Sequence, residues 1–287
     1  MGENGIPERA LGQTGRNVTI FGLGGEGILR THGRLREAVA VITRALELGV
    51  KYFDTAPAYA SSRDYYGAAL GERRKEIFLA SKTAERSRDG SMRILDDSLR
   101  RLRTDHLDLW QLHDLRSMQD LDEIFSPQGA IHALTEARAE GRVRFLGITG
   151  HHDPAVLLEA MRRFDFDTVL VALNCADLAR LSFSRTVLTE AARRKMGVIA
   201  MKVYSAGLLV GPRGSCRAEE ALRYALSLAG VSCAIIGCHT PEQVEQNVAI
   251  AKAFAPLAET EMRALEARHR SDAWTPYKMQ PWMGIGY

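Results

Sequence analysis

The sequence predicts an α/β fold, a (β/α)8 or TIM barrel, and two observations carry this prediction. Short apolar runs alternate eight times with stretches whose apolar residues recur at helical spacing, and eight such parallel strand–helix units close into a barrel. Polar residues such as Asp54, Lys82 and His113 lie at or just beyond the ends of the apolar runs. Strand ends converge on one mouth in a barrel, whereas a doubly wound sheet would concentrate its polar groups at one crevice. The number and spacing of the strand–helix units and the positions of the polar residues therefore favour the barrel.

The predicted elements follow one another along the whole chain. Gly12 and Gly15 predict an N-terminal β-hairpin over residues 9–20, which leads into a first strand at 18–23. The remaining strands are predicted at 51–54, 77–82, 107–113, 143–149, 168–173, 197–203 and 233–237. The helices are predicted at 35–48, 64–70, 91–102, 128–139, 154–163, 185–195, 218–228 and 241–254, with a C-terminal helix and tail beyond them.

Length, composition and charge limit the kinds of protein that this chain can be. The 287 residues are 46% hydrophobic and 25% charged, which suits one large core, and α/β barrels of roughly 250 residues form one domain. We therefore expect a single barrel domain over residues 1–287. The net charge of +3 predicts no nucleic-acid partner. The sequence has neither a signal-like N-terminus nor an apolar run near the roughly 20 residues of a spanning helix, so we expect a cytoplasmic monomer or weak oligomer with no membrane association.

The four cysteines give no sign of a metal site in the sequence. Cys175, Cys216, Cys233 and Cys238 form no CxxC pair and have no neighbouring histidine at metal-ligand spacing. We expect reduced thiols that mostly pack, and no bound metal.

The stretch from Gly22 to Gly27 matches the dinucleotide pattern G-x-G-x-x-G, but its context differs from that of a Rossmann fold. That fold requires a helix directly after the last glycine and an acidic residue about 20 positions later at a strand end. A loop follows instead, and Glu47 lies within a predicted helix. We interpret the glycines as space for a bulky group at the first strand end.

Eight segments resemble the aldo-keto reductase family, in order and from end to end. They are RALGQTG, FGLGG, FDTAPAY, FLASKT, LDLWQLHD, GRVRFLGITG, GVIAMK and TPEQVEQN. The resemblance implies a barrel that reduces aldehydes and ketones with a nicotinamide cofactor, usually NADPH, held across the barrel top without a Rossmann domain. It places the family's catalytic tetrad on Asp54, Tyr59, Lys82 and His113.

The chemistry explains why these four side chains are needed together. A hydride that arrives at a carbonyl carbon builds negative charge on the oxygen, and a positioned acid, here Tyr59, must protonate it. A free phenol has a pKa of about 10, so a cation such as Lys82 helps by stabilising the phenolate. Asp54 would keep Lys82 charged and oriented, and His113 would orient the carbonyl. Taken singly, each has a structural interpretation, such as a buried ion pair or a core tyrosine.

The predicted nicotinamide site departs from the family pattern. The resemblance implies contacts from Gly24, Gly25 and Asp54, and Thr149-Gly150 followed by His151 replaces the usual Ser-Asn after strand five. His151 could instead belong to a helix lead-in, because Asp153-Pro154 suits a helix start. Asn174 replaces the family glutamine after strand six. Met201 and Lys202 occupy the position of a stacking tyrosine, for which Tyr204 is the alternative.

The adenosine end also departs from the pattern. Residues expected to contact it are Gly237, Cys238, His239, Gln243, Gln246 and Asn247. Gln243 replaces an arginine that family members use for the 2′-phosphate, although it could serve only to cap a helix with Thr240. A helix N-terminus still attracts phosphate, so we expect NADPH use with reduced preference and NADH as the alternative cofactor.

The resemblance thus implies an NADP-dependent reductase of the alcohol dehydrogenase or carbonyl reductase type, acting on a small-molecule carbonyl substrate. Two other functions stay open: a cofactor-binding redox-sensing or regulatory subunit with little turnover, and a metal-dependent hydrolase that uses Asp54, His113 and Asp114. Residues 115–127 and the aromatic tail 271–287 are expected to cover the mouth, and the alternative for the tail is that it packs on the outer helices or is partly disordered.

Overall fold

The computed structural model describes residues 5–176, 182–211 and 214–269, and it confirms the (β/α)8 barrel. Strands β1 (Glu8–Ala10) and β2 (Asn17–Thr19) form the predicted antiparallel hairpin, with Arg9 opposite Val18. Leu11 and Val18 pack with the side chains of the barrel interior. The hairpin therefore closes the amino end of the barrel.

Eight parallel strands form a closed sheet in the order β10-β3-β4-β5-β6-β7-β8-β9. They are β3 (Phe21–Gly27), β4 (Tyr52–Asp54), β5 (Phe78–Thr83), β6 (Leu107–Leu112), β7 (Val143–Gly150), β8 (Thr168–Ala172), β9 (Gly197–Met201) and β10 (Val231–Cys238). The helices are α1 (Leu35–Glu47), α2 (Ser62–Ala69), α3 (Arg88–Leu102), α4 (Met118–Ile124), α5 (Ala130–Ala139), α6 (Pro154–Arg163), α7 (Phe183–Arg193), α8 (Ala218–Ser227), α9 (Pro241–Lys252) and α10 (Glu259–Ala267).

The barrel interior is apolar at its amino end and polar at its mouth. Tyr52, Phe78 and Leu109 pack together inside the barrel, and alternate residues of a strand point to the same face. Asp54 and Lys82 therefore also point into the barrel. Asp54 lies one layer of side chains nearer the mouth than Tyr52, and Lys82 lies two layers nearer than Phe78.

The structure corrects the predicted start of the first barrel strand. Val18 belongs to β2, whereas the glycine-rich stretch 21–27 is itself β3. Its glycines allow close contact with neighbouring strands: a Cβ on Gly24 would lie 3.1 Å from the backbone nitrogen of Gly237. Without alternating side chains, this strand has no periodic signal in the sequence.

The segment 115–127 contains a helix that the prediction missed. Ser117 caps α4 by accepting a hydrogen bond from the backbone of Asp120 at 3.1 Å. The aromatic tail, with Trp274, Tyr277, Trp282 and Tyr287, lies outside the described residues. Among the helices described here, none has the length and apolar character needed to cross a membrane.

Candidate active site

Three adjacent strands bring the four predicted tetrad residues together at the mouth of the barrel. Asp54 ends β4, Lys82 lies in β5, and His113 directly follows β6, while Tyr59 lies in the loop after β4. All four are buried. We call this group the tetrad arc.

Asp54 and Lys82 form a buried ion pair within the tetrad arc. The ammonium Nζ lies 2.5 Å from the carboxylate Oδ1, each side chain is only 1% exposed, and Nζ also donates to the carbonyl of Thr55 at 2.9 Å. Burial lowers the pKa of Lys82 although Asp54 opposes this, and burial raises the pKa of Asp54 although Lys82 opposes that.

The Tyr59 ring lies near both this cation and His113. The Nζ of Lys82 is 4.9 Å from the centroid of the Tyr59 ring. The His113 ring lies 5.9 Å from the same ring and nearly perpendicular to it. Burial, followed by the charge of Lys82, holds the pKa of His113 well below its usual value. His113 is therefore neutral near pH 7 and offers one donor and one acceptor nitrogen.

Gly25 lies directly against the Tyr59 ring, and the cofactor contact predicted for it stays a prediction. A Cβ at this position would lie 2.6 Å from the carbonyl oxygen of Asp54 and 2.7 Å from Cδ2 of Tyr59. The space left by the missing side chain is thus filled by the protein itself. Because Gly25 has no side chain, β3 can approach both the tyrosine ring and the backbone of Asp54 closely.

Replacing Gly25 by alanine is expected to lower both stability and activity. The methyl group overlaps backbone atoms as well as the ring, and overpacking of this kind costs about 1–3 kcal/mol. We expect kcat to fall further than the loss of folded protein explains, because Tyr59 is displaced. Thermal unfolding and steady-state kinetics measure the two effects. Gly5→Ala is the matched control, since a Cβ on Gly5 meets nothing within 4 Å; equal kcat in the two variants would contradict the positioning role.

Strands β7 and β8 bring Thr149, His151 and Asn174 to the other side of the mouth, where the polar atoms of Thr149 and Asn174 have protein partners. The Thr149 hydroxyl accepts a hydrogen bond from the backbone of Asp114 at 2.8 Å. The Asn174 amide donates to the carbonyl of Lys202 at 3.2 Å and accepts from the backbone of Ala176 at 3.0 Å. Burial and the charge of Lys202 lower the pKa of His151 to about 3, so this imidazole is neutral. Asp153 caps α6 as predicted, accepting from Ala155 at 2.8 Å.

Glu26 is a residue of the mouth that the sequence interpretation missed. Its Oε2 lies 2.5 Å from Nζ of Lys202, and its Oε1 lies 2.9 Å from Arg30. Burial opposes ionisation, yet Lys202 and Arg30 lower the pKa of Glu26 to about 2. The pair links β3 to the end of β9 across β10. In the sequence, Glu26 was marked only by being an acidic residue within a glycine-rich stretch.

Met201 lies inside the barrel, and Gly237 lies close against the backbone of the neighbouring strand β3. Met201 is buried among the apolar side chains of the interior. A Cβ on Gly237 would lie 2.7 Å from the backbone carbon of Glu26. The bulkier alternative, Tyr204, donates from its hydroxyl to Asn247 at 2.5 Å.

The adenosine-end candidates divide into buried and exposed residues. Cys238 and Asn247 are buried and contact each other, with the Asn247 amide 3.5 Å from the sulfur. His239, Gln243 and Gln246 are exposed at the start of α9. Gln243 closes the helix end, because its side-chain oxygen accepts from the backbone of His239 at 2.7 Å, and Thr240 accepts from Gln243 at 3.4 Å.

Comparison with known proteins agrees with this architecture. Residues 20–215 match the model of the Aldo/keto reductase family. L-Galactose dehydrogenase of Arabidopsis thaliana is 30% identical over 85% of this chain and 88% of its own length. Pyridoxal 4-dehydrogenase of Microbacterium luteolum is 27% identical over 84% and 92%. The holo form of an aldo-keto reductase from Bacillus halodurans shares 25% identity with a TM-score of 0.77, covering 93% of this chain and 100% of that one.

A closed eight-stranded parallel barrel with polar groups gathered at the carboxyl ends of its strands is the framework of a (β/α)8-barrel enzyme. The chain belongs to the aldo/keto reductase family. It is an oxidoreductase of the nicotinamide-dependent kind that this family comprises.

Proposed function

We propose that this chain transfers hydride between a nicotinamide dinucleotide and the carbonyl carbon of an aldehyde or ketone, with Tyr59 as the general acid. The observation that carries the proposal is the buried Asp54–Lys82 pair lying beside the Tyr59 ring, with Nζ 4.9 Å from its centroid. Turnover of a panel of aromatic and short aliphatic aldehydes, followed by loss of reduced-nicotinamide absorbance, tests it. Cofactor binding without turnover of any of them would favour a regulatory subunit instead.

Each residue of the tetrad arc has a distinct role in this proposal. Tyr59 donates its proton to the carbonyl oxygen as negative charge develops there. Lys82 stabilises the resulting phenolate, and Asp54 holds Lys82 in place through their 2.5 Å contact. Neutral His113 donates a hydrogen bond that orients the carbonyl. In the oxidative direction Tyr59 is the base that removes the hydroxyl proton.

The cofactor would lie over the ends of β7 to β10, which form the part of the mouth that the tetrad arc leaves open. When bound, it supplies or accepts the hydride. Thr149, His151 and Asn174 would face the nicotinamide amide, and His239, Gln243 and Gln246 the adenosine end. The buried Ser205 hydroxyl, which has no hydrogen-bond partner among the residues described, adds a donor suited to an oxygen of the cofactor. The polar groups present thus fit a dinucleotide.

The substrate class is narrowed by two relatives. Proteins named for dehydrogenation of L-galactose and of pyridoxal are similar over most of this chain. Both names denote small polar molecules with a hydroxyl or aldehyde group. We propose a small polar carbonyl or alcohol substrate of this kind. Oxidation of such alcohols should therefore be assayed beside reduction of the corresponding carbonyl compounds.

Cofactor preference is expected to be weak, since residues 237–247 contain no lysine or arginine. Charge-assisted hydrogen bonds contribute on the order of 1.5–3 kcal/mol each, and the 2′-phosphate of NADPH would lack them here. Dissociation constants for NADPH and NADH, measured by fluorescence, check this. A preference for NADPH above about a thousandfold, more than about 4 kcal/mol, would contradict it.

A charge-restoring variant sharpens the same test. Gln243→Arg is expected to tighten NADPH binding roughly tenfold, about 1.4 kcal/mol, with little effect on NADH. Gln243→Met is the control, because it removes the same contact to His239 without adding charge.

A further inference from the structure

Two cysteines and a histidine converge outside the tetrad arc. Cys175 lies in the loop after β8, Cys216 in the loop between β9 and α8, and His269 just beyond α10. All three are buried, and one ligand atom from each lies within 4.8 Å of the others. The expectation that the thiols mostly pack rested on sequence spacing, which cannot show that the fold brings three distant segments together.

The distances suit a tetrahedral metal ion. The two Sγ atoms are 3.8 Å apart, which equals the edge of about 3.8 Å that two thiolates form around zinc at Zn–S distances of about 2.3 Å. The Sγ of Cys216 lies 4.0 Å from Nε2 of His269, and the ligand atoms of all three residues lie within 4.8 Å of one another. Inward shifts of up to about 1 Å would bring the three residues to Zn–S and Zn–N distances of about 2.3 and 2.0 Å.

The histidine is held in the form that a metal requires. Its Nδ1 lies 2.9 Å from the carbonyl oxygen of Leu265, and a carbonyl only accepts, so Nδ1 carries the proton and Nε2 presents a lone pair. A backbone carbonyl on the second ring nitrogen is the usual support for a ligating histidine. The Ser215 hydroxyl lies 2.6 Å from Nε2 and donates a hydrogen bond to that lone pair, so a metal ion must displace this hydroxyl to reach the nitrogen.

We propose that Cys175, Cys216 and His269 bind one divalent zinc ion. Thiolate and imidazole ligands in tetrahedral array favour zinc. Binding forms two Zn–S bonds and one Zn–N bond, and it releases the two thiol protons to solvent. No electron transfer is involved, and the proposal stands independently of the reaction assigned to the tetrad arc.

The site would fasten the end of α10 to the mouth of the barrel. Cys175 directly follows Asn174, a candidate cofactor residue, and the three ligands close loops of 41 and 53 residues. Closing such loops reduces the conformational freedom of the unfolded chain. The metal would therefore have a structural role, in which it cross-links the loops after β8 and β9 to the end of α10.

Cobalt substitution tests the site directly. Full-length protein, stripped with a chelator and kept reduced with a phosphine, is titrated with Co²⁺. We expect one equivalent to bind with a thiolate-to-cobalt charge-transfer band, and zinc to displace it. Cys175→Ser and Cys216→Ser should each lower the band by about half, the double variant should abolish it, and Cys233→Ser, which alters a buried thiol elsewhere, should keep it. Absence of the band in the wild type, or its persistence in the double variant, would overturn the proposal.

A second measurement covers variants that fail to fold. Wild-type protein is alkylated with and without zinc, and each cysteine is followed by peptide mass spectrometry. Zinc should slow labelling of Cys175 and Cys216 at least tenfold and leave Cys233 and Cys238 unaffected. Equal labelling with and without zinc, or a Cys175–Cys216 disulfide that forms in the presence of zinc, would refute the metal site.

Discussion

Replacing Tyr59 by phenylalanine is expected to lower kcat for aldehyde reduction by about 10²–10⁴-fold, the usual contribution of a positioned general acid. The substitution removes only the hydroxyl. The ring keeps its packing against Gly25 and its place beside Lys82 and His113, so folding and cofactor affinity should change little. Steady-state kinetics and cofactor fluorescence quenching measure the two separately.

Tyr65→Phe is the matched control for this experiment. Tyr65 is also buried, and its hydroxyl donates to the carbonyl of Thr31 and accepts from the backbone of Arg34, both at 3.0 Å. Losing these bonds costs about 1 kcal/mol of stability and should leave kcat unchanged. If Tyr59→Phe retained kcat within tenfold of the wild type, another group would have to supply the proton.

Replacing Lys82 by methionine is expected to destabilise the protein by about 3–5 kcal/mol, because it leaves the buried Asp54 without its charged partner. The same change should reduce kcat, since no cation remains to stabilise the Tyr59 phenolate. Denaturant unfolding gives the free energy of unfolding, and kinetics on the remaining folded protein give kcat.

The stability loss should depend on pH. Burial already raises the pKa of Asp54 with Lys82 present, and removing the ammonium raises it further. A carboxyl whose folded pKa lies above its unfolded value stabilises the fold only at low pH and loses that effect as pH rises through the folded pKa. The deficit of Lys82→Met should therefore be smallest near pH 4, close to the unfolded value of about 3.9, and should grow toward pH 7.

Two controls separate the stability effect from the catalytic effect. Asp54→Asn/Lys82→Met removes both charges and should recover part of the stability but not kcat. Arg74→Met deprives another buried acid, Asp108, of a partner at 2.9 Å far from the mouth, so it should lower stability and spare kcat. A Lys82→Met protein with full activity would remove the cation from the mechanism.

The fold could be predicted from sequence because its signals are periodic. Alternation of apolar runs with helical patterns identified the eight strand–helix units, and the hairpin was marked by Gly12 and Gly15. The strand β3 was misplaced because four of its seven residues are glycine, and glycine carries no alternation. The short helix α4 was missed because its segment was interpreted as a polar loop.

The site could be predicted in part, for a different reason. Asp54, Lys82 and His113 each follow an apolar run, so the fold alone places them at one mouth. Contacts between segments distant in sequence, such as Glu26 with Lys202 or Cys175 with His269, have no local pattern that could reveal them. The packing of Gly25 against Tyr59 is likewise a contact that no local pattern reveals.

The order of strands around the barrel also bears on how this protein can diversify. The tetrad arc comes from residues 54–113, one unbroken stretch of sequence on three neighbouring strands, whereas the candidate cofactor contacts after β7 to β10 all come later in the chain. Under the function proposed above, a single genetic crossover between α4 and β7 would exchange the candidate cofactor residues after β7 to β10 and keep the four residues of the tetrad arc. The residues proposed to select the cofactor can then change while the proposed proton donor and its partners stay the same.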